Sequence, residues 1–245
     1  MNLIVDIGNT RAKAVVMSSE GVVANYTSDS ATCEWLEAIV GECGAISRAI
    51  VSSTRGDAES VATMLQNMVD YVVCFKPSVT PIPLGNSYHT PQTLGADRLA
   101  AAVGAASLYP GEDLLIVDFG TAITIDYVVG GEFRGGNISP GVTTRFRSLA
   151  DYTACLPLCQ PTNEVLEYGR TTTEAIEQGV MRGVEQEIRG YCDDFSKKNE
   201  KKRIIFTGGD AKYFAMRIKN AIFADCEPVI FGLNRILDYN AEKQE

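Results

Sequence analysis

Two apolar runs far apart in the chain end in the same pattern: Leu3 to Asp6 leads into Asp6-Ile7-Gly8, and Leu114 to Asp118 leads into Asp118-Phe119-Gly120. A strand that closes on an acid and turns at a glycine offers backbone N–H groups and a carboxylate at one spot. Two such turns, each opening a long alternation of strand and helix signals, imply an internally duplicated fold. In the first half, strands are predicted at Leu3 to Asp6, Ala12 to Met17 and Val22 to Tyr26. A helix carrying Trp35, Leu36, Ile39 and Val40 should end at Gly41, followed by a strand at Ala49 to Ser52. The stripe Val61, Met64, Leu65, Met68, Val69 predicts another helix, then come a strand at Tyr71 to Phe75 and a helix from Asp97 to about Ser107.

The second half repeats the order. Strands are expected at Leu114 to Asp118, Ala122 to Val129 and near Glu132 to Gly135, then an irregular segment to about Thr173. The apolar series Ile176, Val180, Val184, Ile188, Tyr191, Phe195 keeps to one face of a long helix, which exits through the charged turn Lys197 to Arg203. A strand at Ile204 to Thr207, a helix carrying Tyr213, Phe214, Ile218 and Ile222, a strand near Pro228 to Phe231 and a final helix complete it. Each half therefore reads βββαβαβα, with residues 1–112 and 113–245 as the two α/β domains.

Composition narrows the function. The 245 residues carry a net charge of −9, without the basic stripe that neutralises a nucleic-acid backbone, so DNA or RNA is not expected as the main ligand. One nucleotide can still bind locally. The opening MNLIVDIGNT lacks the layout of a secretory signal, and the uncharged stretch Leu99 to Gly111 is broken by glycines, Ser107 and Pro110 well short of the about 20 residues of a membrane span. A cytoplasmic protein without a membrane partner is expected. The seven cysteines are scattered without metal-site spacing, and Pro157 interrupts the pair Cys155 and Cys159. A single histidine, His89, leaves few hydrolase schemes that need a histidine base.

Three glycine turns carry the candidate chemistry. Asp6-Ile7-Gly8-Asn9-Thr10 with Lys13 presents amides, a hydroxyl and an ammonium suited to phosphate, and Asp6 suits a hydrated cation. Asp118-Phe119-Gly120-Thr121 repeats the arrangement in the second half. Thr207-Gly208-Gly209-Asp210 after an apolar strand allows a backbone to approach a flat ring or a phosphate closely. Each also reads as an ordinary turn, and Lys13 as a solvated face residue. Asp97 at a predicted helix start reads as a cap, and Arg98 as a helix-face ion pair.

Together with these turns, Tyr88 and Pro91 ahead of Gly95-Ala96-Asp97-Arg98, the run Gly135-Gly136-Asn137-Ile138-Ser139-Pro140-Gly141, and Gly169 to Thr172 before Ala175 and Gly179 resemble one family. The duplicated halves are similar to the acetate and sugar kinase, Hsp70 and actin superfamily, and within it the chain resembles the type III pantothenate kinases from residue 2 to about 233. The resemblance implies duplicated actin-like (ribonuclease H-like) domains with an ATP cleft between them. It implies ATP-dependent phosphorylation of pantothenate, the first step towards coenzyme A, with Asp97 as general base. It further implies that Asp6, Gly8, Asn9, Thr10, Lys13, Thr121, Gly208 and Gly209 contact ATP, and that Tyr88, Gly95, Ala96, Asp97, Arg98 and Thr172 (or its neighbours Thr171 and Thr173) contact pantothenate. Mg2+ accompanies ATP, with Asp6 a candidate ligand, and Asp118 is implied to bind a monovalent cation, potassium or ammonium. A homodimer joined through the long helix is implied too, and the Ile176 to Phe195 stripe suits either that interface or an intrachain core. Ser52-Ser53-Thr54-Arg55 departs from the family's usual Ser-Val-Val-Pro type run, and His89 falls at a surface or pocket-rim position. The rival readings are a kinase of another small hydroxyl substrate on the same fold, and a regulatory nucleotide-binding relative.

Overall fold

The chain is described by a computed structural model covering residues 1–198, 201–219, 221–223 and 227–243. The elements run β1 (Asn2–Ile7), β2 (Ala12–Ser18), β3 (Gly21–Ser28), α1 (Cys33–Cys43), β4 (Arg48–Ser53), α2 (Ala58–Leu65), β5 (Tyr71–Cys74), β6 (Gly85–Asn86) and α3 (Ala96–Leu108). They continue with β7 (Asp113–Phe119), β8 (Ala122–Val129), β9 (Glu132–Pro140), α4 (Val142–Asp151), α5 (Thr172–Lys198), β10 (Lys202–Thr207), α6 (Ala211–Ala215), β11 (Ala221–Phe223) and α7 (Pro228–Glu242). The chain forms two compact units, one of 1–110, 131–133 and 226–245, the other of 111–130 and 134–225. This division differs from 1–112 and 113–245, because α7 returns to the first unit.

In the first unit the sheet order is β3-β2-β1-β4-β5, with β1 antiparallel to β2 and parallel to β4. Alternation along the strands sends Leu3, Val5, Ile7, Ala12, Ala14, Val16, Ala49 and Val51 to one face, where Leu36 and Ile39 of α1 and Val61 and Leu65 of α2 cover them. The opposite face carries α7 and α3. These two helices meet backbone to backbone: a Cβ on Gly104 would sit 2.0 Å from the Pro228 carbonyl oxygen, and one on Gly232 1.8 Å from that of Ala100. Only glycine permits that approach.

In the second unit the order is β11-β10-β7-β8-β9, again with the acid-ending central strand between an antiparallel and a parallel neighbour. The α5 stripe Ile176, Val180, Val184, Ile188, Cys192 and Phe195 is buried against Leu115, Val117, Phe119, Ile123 and Ile125. It is therefore core of this unit, and the interface alternative for that face falls away.

Several elements differ from the sequence expectation. Helix α1 passes through Gly41 and stops at Gly44, whose φ of 72° no other residue adopts cheaply. Helix α2 ends at Leu65, where the amides of Asn67 and Met68 bond back three residues and tighten the chain into a turn. Strand β9 extends to Pro140, and α4 occupies part of the segment expected to be irregular, with Val142 and Phe146 buried and Thr143, Thr144 and Arg145 masking the helical period. Helix α6 stops at Ala215; Ile222 lies in β11, held by parallel pairing with β10. The strand expected near Pro228 is the first turn of α7, where proline's fixed φ suits a helix start. Asn199 and Glu200, within the expected charged exit, lie outside the described residues.

Candidate active site

Strand register decides what surrounds each acid. Asp6 lies opposite Lys13 on β2 and Ser52 on β4, so the three side chains form a row on the sheet face that carries α3 and α7. Asp118 lies opposite Thr124 on β8 and Thr207 on β10. The two turns that follow also differ. Between β1 and β2 the Gly8 amide donates to the Arg11 carbonyl (3.0 Å), leaving Asn9 and Thr10 exposed. Between β7 and β8 the Gly120 amide donates to the Ala122 carbonyl (3.2 Å), with Thr121 exposed.

Lys13 also forms an ion pair with Glu227 at the start of α7. Ser52 is fully buried, and its Oγ has no hydrogen-bond partner among the described residues. Its neighbours are engaged: Ser53 Oγ donates to Asp57, and Thr54 Oγ1 donates to the Ile7 carbonyl. The Ser52 to Arg55 departure thus shapes the turn after β4.

The second turn is built by glycines. A Cβ on Gly208, where φ is 92°, would lie 2.3 Å from Asp118 Oδ1 and 2.7 Å from the Phe119 amide nitrogen, so the expected Thr207-Gly208-Gly209 turn sits directly against Asp118. Gly209 has open space around it. Gly141 caps α4 and donates to the Thr121 carbonyl (3.0 Å); a Cβ there would lie 2.1 Å from the Gly120 carbonyl oxygen. Gly136 approaches β8 in the same way: a Cβ there would lie 2.0 Å from the Ile125 carbonyl oxygen. Gly136 and Gly141 of the Gly135 to Gly141 run are thus fixed by backbone contact with the second turn and its strand. Burial pushes the Asp210 carboxyl up from its ordinary pKa.

Asp97, Arg98 and Tyr88 come together in the first unit. Gly95 starts α3, and Asp97 sits in its first turn, where the helix dipole favours a carboxylate. Asp97 does not cap the helix: its Oδ1 accepts the Arg98 amide (2.8 Å). A Cβ on Gly95 would lie 2.6 Å from that oxygen, and Ala96 is buried behind it. Arg98 is only 6% exposed, and its guanidinium carbon lies 5.8 Å from the centre of the Tyr88 ring. The Tyr88 ring packs in turn on Phe133, 6.1 Å between centroids. His89 is exposed. Thr172 belongs to the other unit, where it lines a groove with Arg145, Leu149, Leu156 and Ile176, separate from the Asp118 and Gly208 contact.

Sequence reading missed Ser52, Phe133 and Glu227. Parallel register, which alone brings Ser52 beside Asp6, leaves no local signal, and Phe133 reads as one apolar residue in a short strand. Pro228 marked a helix start directly after Glu227, and that signal was available.

The matches to known proteins agree with one another. A sequence model of the type III pantothenate kinase family matches residues 2–194. A type III pantothenate kinase from Bacteroides fragilis is 40% identical over 241 residues, 98% of each chain. One from Porphyromonas gingivalis is 40% identical over 243 residues, again 98% of each chain. Among solved structures, a protein described as a Baf family transcriptional activator from Campylobacter jejuni superposes with a TM-score of 0.62 at 23% identity, over 98% of this chain and 99% of that one. An activator of 2-hydroxyisocaproyl-CoA dehydratase from Clostridium difficile gives 0.53 at 18% identity, over 99% and 96%. These two likenesses concern the fold, which is the duplicated actin-like one. With the family sequence pattern spanning most of its length, and with near-complete relatives at 40% identity, the chain belongs to the type III pantothenate kinase family.

Proposed function

We propose that the protein transfers the γ-phosphoryl group of ATP to the primary hydroxyl of pantothenate, the first step of coenzyme A biosynthesis. The observation that carries this reading is the cluster at the start of α3: a carboxylate in the first helical turn, followed by a buried arginine packed on a tyrosine ring. In it, Arg98 holds the acceptor's carboxylate or amide oxygens in a planar fork and Tyr88 lies alongside. Gly95 and Ala96 leave room for the substrate's backbone. Asp97 accepts the hydroxyl proton as the oxygen attacks phosphorus. Thr172 is assigned to the same substrate.

On the nucleotide side, the close approach at Gly8, the amides of Asn9 and Thr10, the Lys13 ammonium and Thr121 contact the phosphates, and the Gly208-Gly209 turn lies against the adenosine. The residues suit Mg2+: Asp6 brings a carboxylate oxygen to the end of β1, beside the turn assigned to the phosphates. That is the donor set of an ion held by one carboxylate and the nucleotide's own phosphates. Bound there, Mg2+ would offset phosphate charge. Asp118 is assigned a potassium or ammonium ion, supported by the hydroxyls opposite it on both neighbouring strands.

We assign a homodimer in the cytoplasm. Four large side chains on the segment after α4, Tyr152, Leu158, Val165 and Tyr168, are more than half exposed, which supports an interface beside α5. The six cysteines among the described residues are free thiols, which suits a reducing compartment. No described helix is long and apolar enough to cross a membrane.

The test is an ADP-release assay with pantothenate and Mg-ATP, with and without potassium or ammonium, on the parent chain and Asp97→Asn. We expect pantothenate-dependent turnover that needs the monovalent ion and falls by about 100-fold or more in Asp97→Asn, the scale of a lost general base. ADP release that ignores pantothenate would defeat the reading.

A further inference from the structure

Tyr88 stands in a stretch with little regular structure of its own. Between the end of β5 at Cys74 and the start of α3 at Ala96 there is only the two-residue strand β6 and a single 3-10 turn at Pro91–Thr93. A connection of that length is ordinarily mobile unless something outside it fixes it. Here a short piece of β9 does so. The Gly85 amide donates to the Gly131 carbonyl (3.3 Å), and both the amide (3.0 Å) and Oγ (3.1 Å) of Ser87 donate to the carbonyl of Phe133. Residues 131–133 are also the one stretch between 111 and 225 that clusters with the first unit.

A ladder of two pairs contributes little to a sheet; its consequence is where it leaves the next residue. Phe133 is fully buried, and its ring lies tilted 44° against Tyr88, whose amide is tied to Asn86 Oδ1 (3.0 Å). The Arg98 guanidinium also lies by the Tyr88 ring, its carbon 5.8 Å from the ring centre. Phe133, Tyr88 and Arg98 therefore form one packed series running from β9 to the first turn of α3.

We propose that Phe133, clamped by Ser87, is a positioning residue for the acceptor: it sets the plane of the Tyr88 ring, and through that ring the direction of the Arg98 guanidinium. This rests on the reading that Tyr88 and Arg98 hold pantothenate. Phe133 touches neither substrate. Its removal weakens acceptor binding and leaves the nucleotide side untouched, whereas a general loss of packing would affect both.

The experiment compares Phe133→Leu and Ser87→Ala, each alone and in a Tyr88→Ala background, by steady-state kinetics with pantothenate and Mg-ATP varied separately, alongside thermal unfolding. Loss of an aromatic contact and a weakened cation–π contact should raise the pantothenate KM of Phe133→Leu by about tenfold, with the ATP KM unchanged. Ser87→Ala, which deletes one hydrogen bond and leaves the core intact, should raise it by about threefold. Both effects should vanish once Tyr88 is alanine. The proposal is overturned if the two KM values rise together, if neither rises, or if the effect persists at full size without Tyr88. Should Tyr88→Ala itself leave the pantothenate KM unchanged while the parent enzyme turns over, the error lies in placing the acceptor at Tyr88, and the proposal falls with that placement.

Discussion

At the end of β1, Asp6 lies between a lysine and a serine; at the end of β7, Asp118 lies between two threonines. The topology around them is the same in both units, a central strand with an antiparallel neighbour on one side and a parallel one on the other. What differs is the material. The first turn spans four residues, from Gly8 to Arg11, and its glycine has only ordinary contact behind it, the Arg11 carbonyl oxygen 3.6 Å from a Cβ. The second spans two residues and is walled in: Gly141 and Gly208 press on it, and Phe119 stacks on Phe214 (4.8 Å) and meets Phe206 edge-on (5.0 Å). The duplicated frame is shared, then, while one turn is open beside a lysine and the other is closely packed, with threonines at the paired positions beside its acid. A closely packed turn keeps its oxygens in place, as the ion proposed at Asp118 requires, whereas an open one leaves room for the polyphosphate proposed at the first turn.

Gly141→Ala offers the strongest test of that contrast. Its Cβ would meet backbone oxygens at 2.1 and 2.6 Å, so the second turn must move, and a shift of about 1 Å at a reacting centre costs about 100-fold in kcat/KM. Kinetics with a parallel melting curve measure both consequences, and an enzyme left unchanged would mean that the second turn is not rigid. The acids themselves come next. Asp118→Asn should abolish the response to potassium or ammonium and leave the Mg-ATP KM within about threefold, whereas Asp6→Asn should raise that KM and retain the ion response. A potassium titration of both variants decides it, and the reverse pattern would exchange the two roles.

Smaller effects follow at the open turn. Gly8→Ala should leave stability within about 0.5 kcal/mol, as for an uncrowded surface site, so any rise in the ATP KM reports backbone approach to phosphate. Glu227→Gln releases Lys13 from an exposed pair, for a stability change within about 1 kcal/mol and a modest, salt-dependent change in ATP KM. A salt series that shows no difference from the parent would remove Lys13 from the nucleotide site. The smallest effect concerns how the central strands are tied at their other ends. Just before β7, Glu112 takes both Nε and a terminal nitrogen of Arg203, and these hydrogen bonds hold its carboxyl below the ordinary value. That contribution is present above the unfolded-state pKa of about 4.3 and is lost as pH falls through the lower folded value. Asn2 at the start of β1 instead donates to Asn234 and Asp238. Acid titration of unfolding in Glu112→Gln should therefore converge with the parent below that window and diverge above it, and parallel curves would refute the assignment.

Much of this was legible in the residues. The strands of the first unit, the start of α3, the span of α5 and the glycine turns all carry local signals of alternation, helical period or breaker residues. Legibility failed where a local signal was diluted or outweighed. Val142, Phe146 and Leu149 keep a helical spacing, yet the threonines and arginines between them hid α4. Ile218 and Ile222 have the spacing of a helix, and pairing with β10 made the second a strand residue. Asp97 and Arg98 were readable as a candidate pair because they are adjacent at a predicted helix start, and Tyr88 joined them only through the family resemblance, whereas Phe133 and Ser52 reach the same neighbourhoods only through pairing between distant strands.

By itself the sequence determined the duplicated order of strands and helices, the two acids at strand ends and the GADR helix start, because these rest on periods and turns within a few residues. The tertiary structure decided what stands beside each acid, that α7 packs on α3 in the first unit, and that Phe133 backs Tyr88. Those are matters of register and of backbone approach. A register shift of one residue turns every side chain to the other face, and a Cβ at Gly104, Gly141 or Gly208 has no room, so such relations exist only once distant segments are in contact.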